Sequence, residues 1–120
     1  MRVLVFGLLI ALLAVGGVTA NDSAAGAAGI GDDYFPLLGN GGYDALHYTL
    51  VLEWDEDTNT LSGTVMMDAT ATQDLSTFNL DFLGFDISDL TVNGEPAAFE
   101  RDGRELTIAP ANLLAAGTDF

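Results

Sequence analysis

Past residue 33 the apolar positions of this chain recur with a period of two rather than 3.6, segment after segment, which is the pattern of strands with one buried and one solvated face. Tyr48, Leu50, Leu52 and Trp54 fall on one face of a first strand, with His47, Thr49, Val51 and Glu53 on the other. Asp55-Glu56-Asp57-Thr58-Asn59 predicts a turn. The return strand, about Leu61 to Thr72, sets Val65, Met67, Ala69 and Ala71 against Thr64, Met66, Asp68, Thr70 and Thr72, so the two strands predict a hairpin. Phe78, Leu80 and Phe82 alternate with Asn79 and Asp81 in a third strand, and Ile87 to Val92 is expected to continue the sheet.

Two dipeptides punctuate the rest. Asn93-Gly94 predicts a tight hairpin turn, because both central residues of the favoured turn need positive φ, which Asn and Gly tolerate. Asp102-Gly103 repeats the device between Ala98-Phe99-Glu100-Arg101 and Arg104-Glu105-Leu106-Thr107-Ile108. Short strands at hairpin spacing, with no helical periodicity beyond the N-terminal segment, predict an all-β fold, either an antiparallel β-sandwich or a large curved sheet.

The first twenty residues break this pattern. Met1-Arg2 gives a positive start, Val3 to Val15 is a nearly unbroken apolar run, and Val18-Thr19-Ala20 supplies small residues, the layout of a secretory signal peptide. The run is shorter than the roughly 20 residues that span a bilayer, so cleavage after Ala20 is expected, with Ala24, Ala25 and Ala28 as later alternatives. Residues 21–33, rich in Ala and Gly with one Ser, predict a flexible spacer, with order beginning near Tyr34-Phe35-Pro36. The expected organisation is a signal peptide over 1–20, a spacer over 21–33 and a β domain over 34–120, with the product exported to the cell envelope or beyond.

Composition narrows the chemistry. Cysteine is absent, which excludes a disulfide framework and a lipid-bearing thiol. All eighteen acidic residues lie after residue 20, opposed there only by Arg101 and Arg104, so the mature part carries a formal net charge of −16. Such a surface repels nucleic acid and anionic lipid; a salty habitat, divalent-cation binding and solubility each account for it, with solubility the leading expectation.

No catalytic, cofactor or metal residue is assigned. Asp55-x-Asp57-x-Asn59 imitates the opening of a calcium loop, but Thr60 stands where the loop needs glycine and Met66 where it needs a bidentate glutamate, so an acidic turn is the expected role. His47 is the only histidine, too few for a conventional zinc site, and its place at a strand start predicts a structural hydrogen bond. Ser23, Ser62, Ser76 and Ser88 lack the glycine-flanked setting of a nucleophile. The pairs Asp32-Asp33 and Asp86-x-x-Asp89 are what eighteen acids in a small domain produce by chance. Gly39, Gly41 and Gly42 precede a strand, without lysine, and so do not form a phosphate loop.

The blocks Asn40-Gly41-Gly42-Tyr43-Asp44-x-x-His47-Tyr48-x-Leu50-x-Leu52, Leu61-Ser62-Gly63-Thr64, Ala69-Thr70-Ala71-Thr72, Leu75-Ser76-Thr77-Phe78-Asn79-Leu80-Asp81-Phe82 and Val92-Asn93-Gly94 carry a resemblance. In order and spacing they resemble the start of secreted bacterial zinc metallopeptidases of the aminopeptidase N family, the gluzincins. That resemblance spans about Tyr34 to Phe120 and implies their saddle-shaped N-terminal β domain, truncated at its C-terminal end. A thermolysin-like domain would follow, with an H-E-x-x-H helix and a distant glutamate holding zinc and a G-x-M-E-N segment gripping the substrate amine. None of these motifs occurs in this sequence, so no catalytic or zinc residue carries over, and Tyr43, His47 and Tyr48 are assigned to a framework motif. The expected partner is the downstream catalytic domain of the same polypeptide. A free-standing exported β-sandwich that binds sugar, protein or calcium is the alternative from another class, and an inactive relative of the peptidases is a third.

Overall fold

The computed structural model describes residues 24–36 and 38–120. The expected signal peptide, its cleavage site and Asn21 to Ser23 lie outside the described residues. Among the described residues the fold is all-β with antiparallel sheets, as the alternation predicts, and no helix is long and apolar enough to cross a membrane. Its strands are β1 (Ala24–Ala25), β2 (Tyr43–Asp55), β3 (Thr60–Ala71), β4 (Leu75–Asp81), β5 (Thr91–Val92), β6 (Glu95–Pro96), β7 (Ala98–Asp102) and β8 (Glu105–Ala109). They form a four-stranded sheet in the order β1-β4-β8-β7, the long β2-β3 hairpin and a small β5-β6 ribbon.

One core joins the sheet to the base of the hairpin. Pairing Phe78 with Ile108 and Leu80 with Leu106 puts these four side chains on one face of the sheet. Phe78, Leu106 and Ile108 are buried together with Leu75, Ala71 and Leu114, and Tyr43, Met67 and Phe120 pack against them. Three rings lock the centre: Tyr43 meets Phe78 edge-on at 5.7 Å and Phe120 at 6.2 Å, while Phe78 and Phe120 lie 5.2 Å apart. Such contacts stabilise beyond their buried area by roughly 0.5–1.5 kcal/mol each.

The hairpin keeps its apolar face in phase with that core through a β-bulge. Ala45 pairs with Ala69 and His47 with Asp68, leaving Leu46 without a partner. An extra residue shifts the side-chain phase by one. Tyr43 and Ala45 before the bulge therefore share a face with Tyr48, Leu50, Leu52 and Trp54 after it, opposite Ala71, Ala69, Met67, Val65, Gly63 and Leu61 of β3. The expected faces of both strands are observed, but the first strand begins at Tyr43, five residues before the alternation starts.

Turn chemistry also matches, with one shift. Asn93 and Gly94 have φ of 53° and 79°, the positive pair their sequence predicts. At the last hairpin Asp102 closes the ladder opposite Glu105, so Gly103 and Arg104 form the bend and Gly103, at φ 60°, takes its first position.

Two expectations need correction. The stretch assigned to a flexible spacer is partly structured: Ala24–Ala25 pairs in parallel with β4, and Gly26 N–H donates to Thr77 O at 2.9 Å. Its small residues let that backbone lie close to the glycine block 39–42, with Gly41 N–H donating to Ala27 O at 2.8 Å. Nor does Ile87 to Val92 continue the sheet. Only Thr91–Val92 is strand, paired with β6, whereas Ile87 and Leu90, three residues apart, pack on the core from irregular backbone.

Candidate functional site

Two of the acidic groups singled out in the sequence, Asp55 and Asp32, organise local turns. Asp55 Oδ1 accepts from the N–H groups of Asp57 (2.9 Å) and Thr58 (3.2 Å), which is an Asx turn, and the hydrogen bonds from Thr58 hold its carboxyl below the usual carboxylate range. Asn59 completes this turn in the left-handed region, with φ of 55°. Asp32 Oδ1 accepts likewise from Tyr34 N–H (2.7 Å) and Phe35 N–H (2.8 Å). His47 sits opposite Asp68 on the outward face of the hairpin, immediately after the bulge. Ser62, Ser76, Ser88, Asp86 and Asp89 are exposed.

Among the described residues no three His, Asp or Glu side chains converge on a position that would hold a metal ion, so the donor set does not fit zinc. The acids instead oppose one another. Glu105 stands between Asp81 on β4 and Asp102 on β7, directly opposite both. Desolvation first, and the Asp81 charge second, raise its pKa above the ordinary 4.5, with Arg104 opposing the rise. Arg101 has a specific role that the sequence does not signal: it donates to Phe85 O at 2.6 Å and lies 5.2 Å over the Phe82 ring, clasping the loop after β4.

The glycine-rich block is a clasp between strands. Gly39 N–H donates to Asp81 Oδ2 at 2.7 Å, and Asn40, with its amide turned to suit its neighbours, donates to Glu105 Oε2 (3.2 Å) and accepts from Asp81 N–H (3.1 Å). Gly42, at φ 100°, is pressed so close to β4 that a Cβ would lie 2.8 Å from Leu75 Cδ2. Tyr43 then enters the core and its hydroxyl donates to Asn79 O at 2.8 Å, with burial pushing its pKa up to about 12. Residues 39–43 thus tie the start of β2 to β4 and β8.

Beyond this clasp the hairpin leaves the core. Leu50 (58%), Leu52 (58%), Trp54 (57%) and Val65 (54%) remain exposed although they form the apolar face that is buried at Ala69 and Ala71. Leu61 and Tyr48 extend the same stripe. The opposite face is mixed, with Thr49, Glu53, Ser62, Thr64 and Asp68 beside the exposed Val51 and Met66. The first face is the more continuously apolar of the two, and contiguous exposed apolar surface of this kind marks an interaction site. A shallow open depression of about 360 Å³ lies at the root of the hairpin, between Leu46, Asp68, Asn93 and Phe120. Two carboxylates line it, Asp68 and Asp119, and Asp119 accepts from Thr70 Oγ1 at 2.6 Å.

No protein-family model matches this chain, and comparison with curated proteins and with solved structures returns no significant relative.

Proposed function

We propose that this chain is the non-catalytic N-terminal β scaffold of an exported zinc aminopeptidase-like metallopeptidase, and that it serves peptide hydrolysis by walling the cleft of a catalytic domain later in the same polypeptide. The observation that carries this reading is the apolar face of β2-β3, continuous with the core yet uncovered from Tyr48 to Val65. A catalytic domain laid on that face would bury several large side chains, each stabilising by roughly 1.5–3 kcal/mol. Residues 39–43, which carry part of the family resemblance, support it by tying the start of β2 to β4 and β8.

Zinc in such an enzyme would activate the water that attacks the peptide carbonyl. Its ligands would come from the later domain, because this chain has one histidine and no convergent donor set among its described residues. What the β scaffold contributes is position: a rigid wall held by the residue 39–43 clasp and a hairpin that presents an apolar face. The test is to read the source DNA past the Phe120 codon. An open frame that reaches H-E-x-x-H, with chelator-sensitive aminopeptidase activity in its product, supports the reading. A stop codon at once replaces it with a free-standing exported binding module.

A further inference from the structure

The outer edge of β3 is occupied at one end only. Ala69 and Phe120 exchange both backbone hydrogen bonds, at 2.9 and 2.8 Å. Next along, Ala71 N–H donates to Thr118 O at 2.9 Å and Gly117 N–H to Ala71 O at 2.7 Å, while Thr70 faces Asp119 in an antiparallel bridge. Backbone groups alternate in direction along an antiparallel ladder. Since Ala69 and Ala71 bond outward, so do Met67, Val65, Gly63 and Leu61, and the even-numbered residues bond to β2. Among the described residues no strand pairs with this stretch of edge, which is long and borders the apolar face. Such an edge is a template for another strand.

We propose that the segment immediately following Phe120 in a longer polypeptide fills this edge as a third strand of the hairpin sheet, antiparallel to β3. The proposal rests on the scaffold reading in requiring a chain that continues, and it adds to that reading a register and a sequence pattern. Continuity with the existing ladder selects the occupant, because the Ala69–Phe120 pair already aims the backbone along β3 toward Met67 without any loop to close. A second copy is disfavoured by charge: each mature chain carries a formal −16, and the acidic turn Asp55-Glu56-Asp57 stands beside the same edge.

The register then determines the strand. The second residue after Phe120 lies opposite Met67, the fourth opposite Val65 and the sixth opposite Gly63. These share the face of Phe120 and Ala69 and are expected to be apolar. The first, third and fifth lie opposite Asp68, Met66 and Thr64 on the other face and are expected to be polar or small.

Hydrogen exchange of the full-length product tests this. Amides of Val65 and Met67 are expected to exchange about 100-fold more slowly than in the chain ending at Phe120, approaching Ala69 and Ala71. Proline at the second residue after Phe120, whose N–H is needed by Met67 O, is expected to abolish that protection; at the first residue, whose N–H points away, it is expected to leave protection in place. Fast exchange at Val65 and Met67 beside protected Ala69 and Ala71 overturns the proposal, as does a stop codon after Phe120. Protection that rises with protein concentration assigns the edge to a second copy and also overturns it. Protection in a product lacking H-E-x-x-H leaves the third strand standing and removes the peptidase reading; H-E-x-x-H without protection does the reverse.

Discussion

The hydroxyl of Tyr43 donates to the backbone carbonyl of Asn79 at 2.8 Å, joining the first residue of the long hairpin to the central stretch of β4. The same ring meets Phe78 and Phe120 edge-on, so one side chain links three parts of the chain that are distant in sequence. Removing the hydroxyl in Tyr43→Phe leaves the ring contacts and strips Asn79 O of this donor, with an expected loss of about 1 kcal/mol in denaturant unfolding.

That tyrosine also sets an alkaline limit. Its pKa is raised from 10.0 to about 12 in the folded state by burial, so folding holds the proton more tightly than the unfolded chain does. The associated stability is complete below pH 10 and is lost as pH rises toward 12. Denaturation midpoints measured across this range are expected to fall in the parent chain and to fall less steeply in Tyr43→Phe.

Gly42→Ala is expected to destabilise by about 1–3 kcal/mol, since it adds a Cβ at φ 100° that would lie 2.8 Å from Leu75 Cδ2 and 3.2 Å from Gly26 Cα. A thermal melt unchanged from the parent chain would show that the residue 39–43 clasp can yield without cost. Gly94→Ala makes a control, because a Cβ there meets nothing within 4 Å and only the positive φ is strained.

Glu105→Gln is expected to stabilise the chain at pH 7 by a few tenths of a kcal/mol, the scale of like charges facing across strands. Glu105 has its pKa raised by desolvation and by Asp81, so its carboxyl favours the folded state while protonated. That contribution is present below the ordinary 4.5 and is lost as pH rises through the higher folded value. Stability against pH is therefore expected to decline less above pH 4.5 in Glu105→Gln, a difference that denaturant titrations at several pH values resolve.

Leu50→Thr with Leu52→Thr separates folding from docking. Both leucines are 58% exposed, so in the chain ending at Phe120 the double change is expected to alter stability by less than about 0.5 kcal/mol while reducing aggregation. In a full-length product whose later domain covers this face, the same change is expected to cost about 1.5–3 kcal/mol per side chain buried. Equal effects in the two proteins would show that nothing covers the face.

Much of this fold is legible in the sequence because strand faces are local. Tyr48, Leu50, Leu52 and Trp54 alternate without interruption, and they share a face with Val65 and Met67 as the pattern predicts. Asn93-Gly94 names its own turn, since few residue pairs tolerate two positive φ angles. Ala45-Leu46-His47 carries no such mark. Its bulge exists because Tyr43 must reach Phe78 while Tyr48 keeps the same face, a requirement set by residues more than thirty positions away. Ala24–Ala25 is silent for the same reason: two alanines have little strand preference, and β4 supplies the pairing. The clasp formed by Gly39, Asn40 and Asp81 was visible only as a glycine-rich block, because its partners lie across the sheet.

By itself the sequence determined the all-β class, the hairpin and its two faces, the positions of the tight turns and a strongly acidic composition, all of which follow from side-chain period, turn chemistry and charge over a few neighbouring residues. Only the tertiary structure decided where the apolar face is covered and where it is bare. Burial depends on which strands pack together, and here Ala69 and Ala71 lie under the sheet while Leu50, Leu52 and Trp54, identical to them in pattern, extend past its edge.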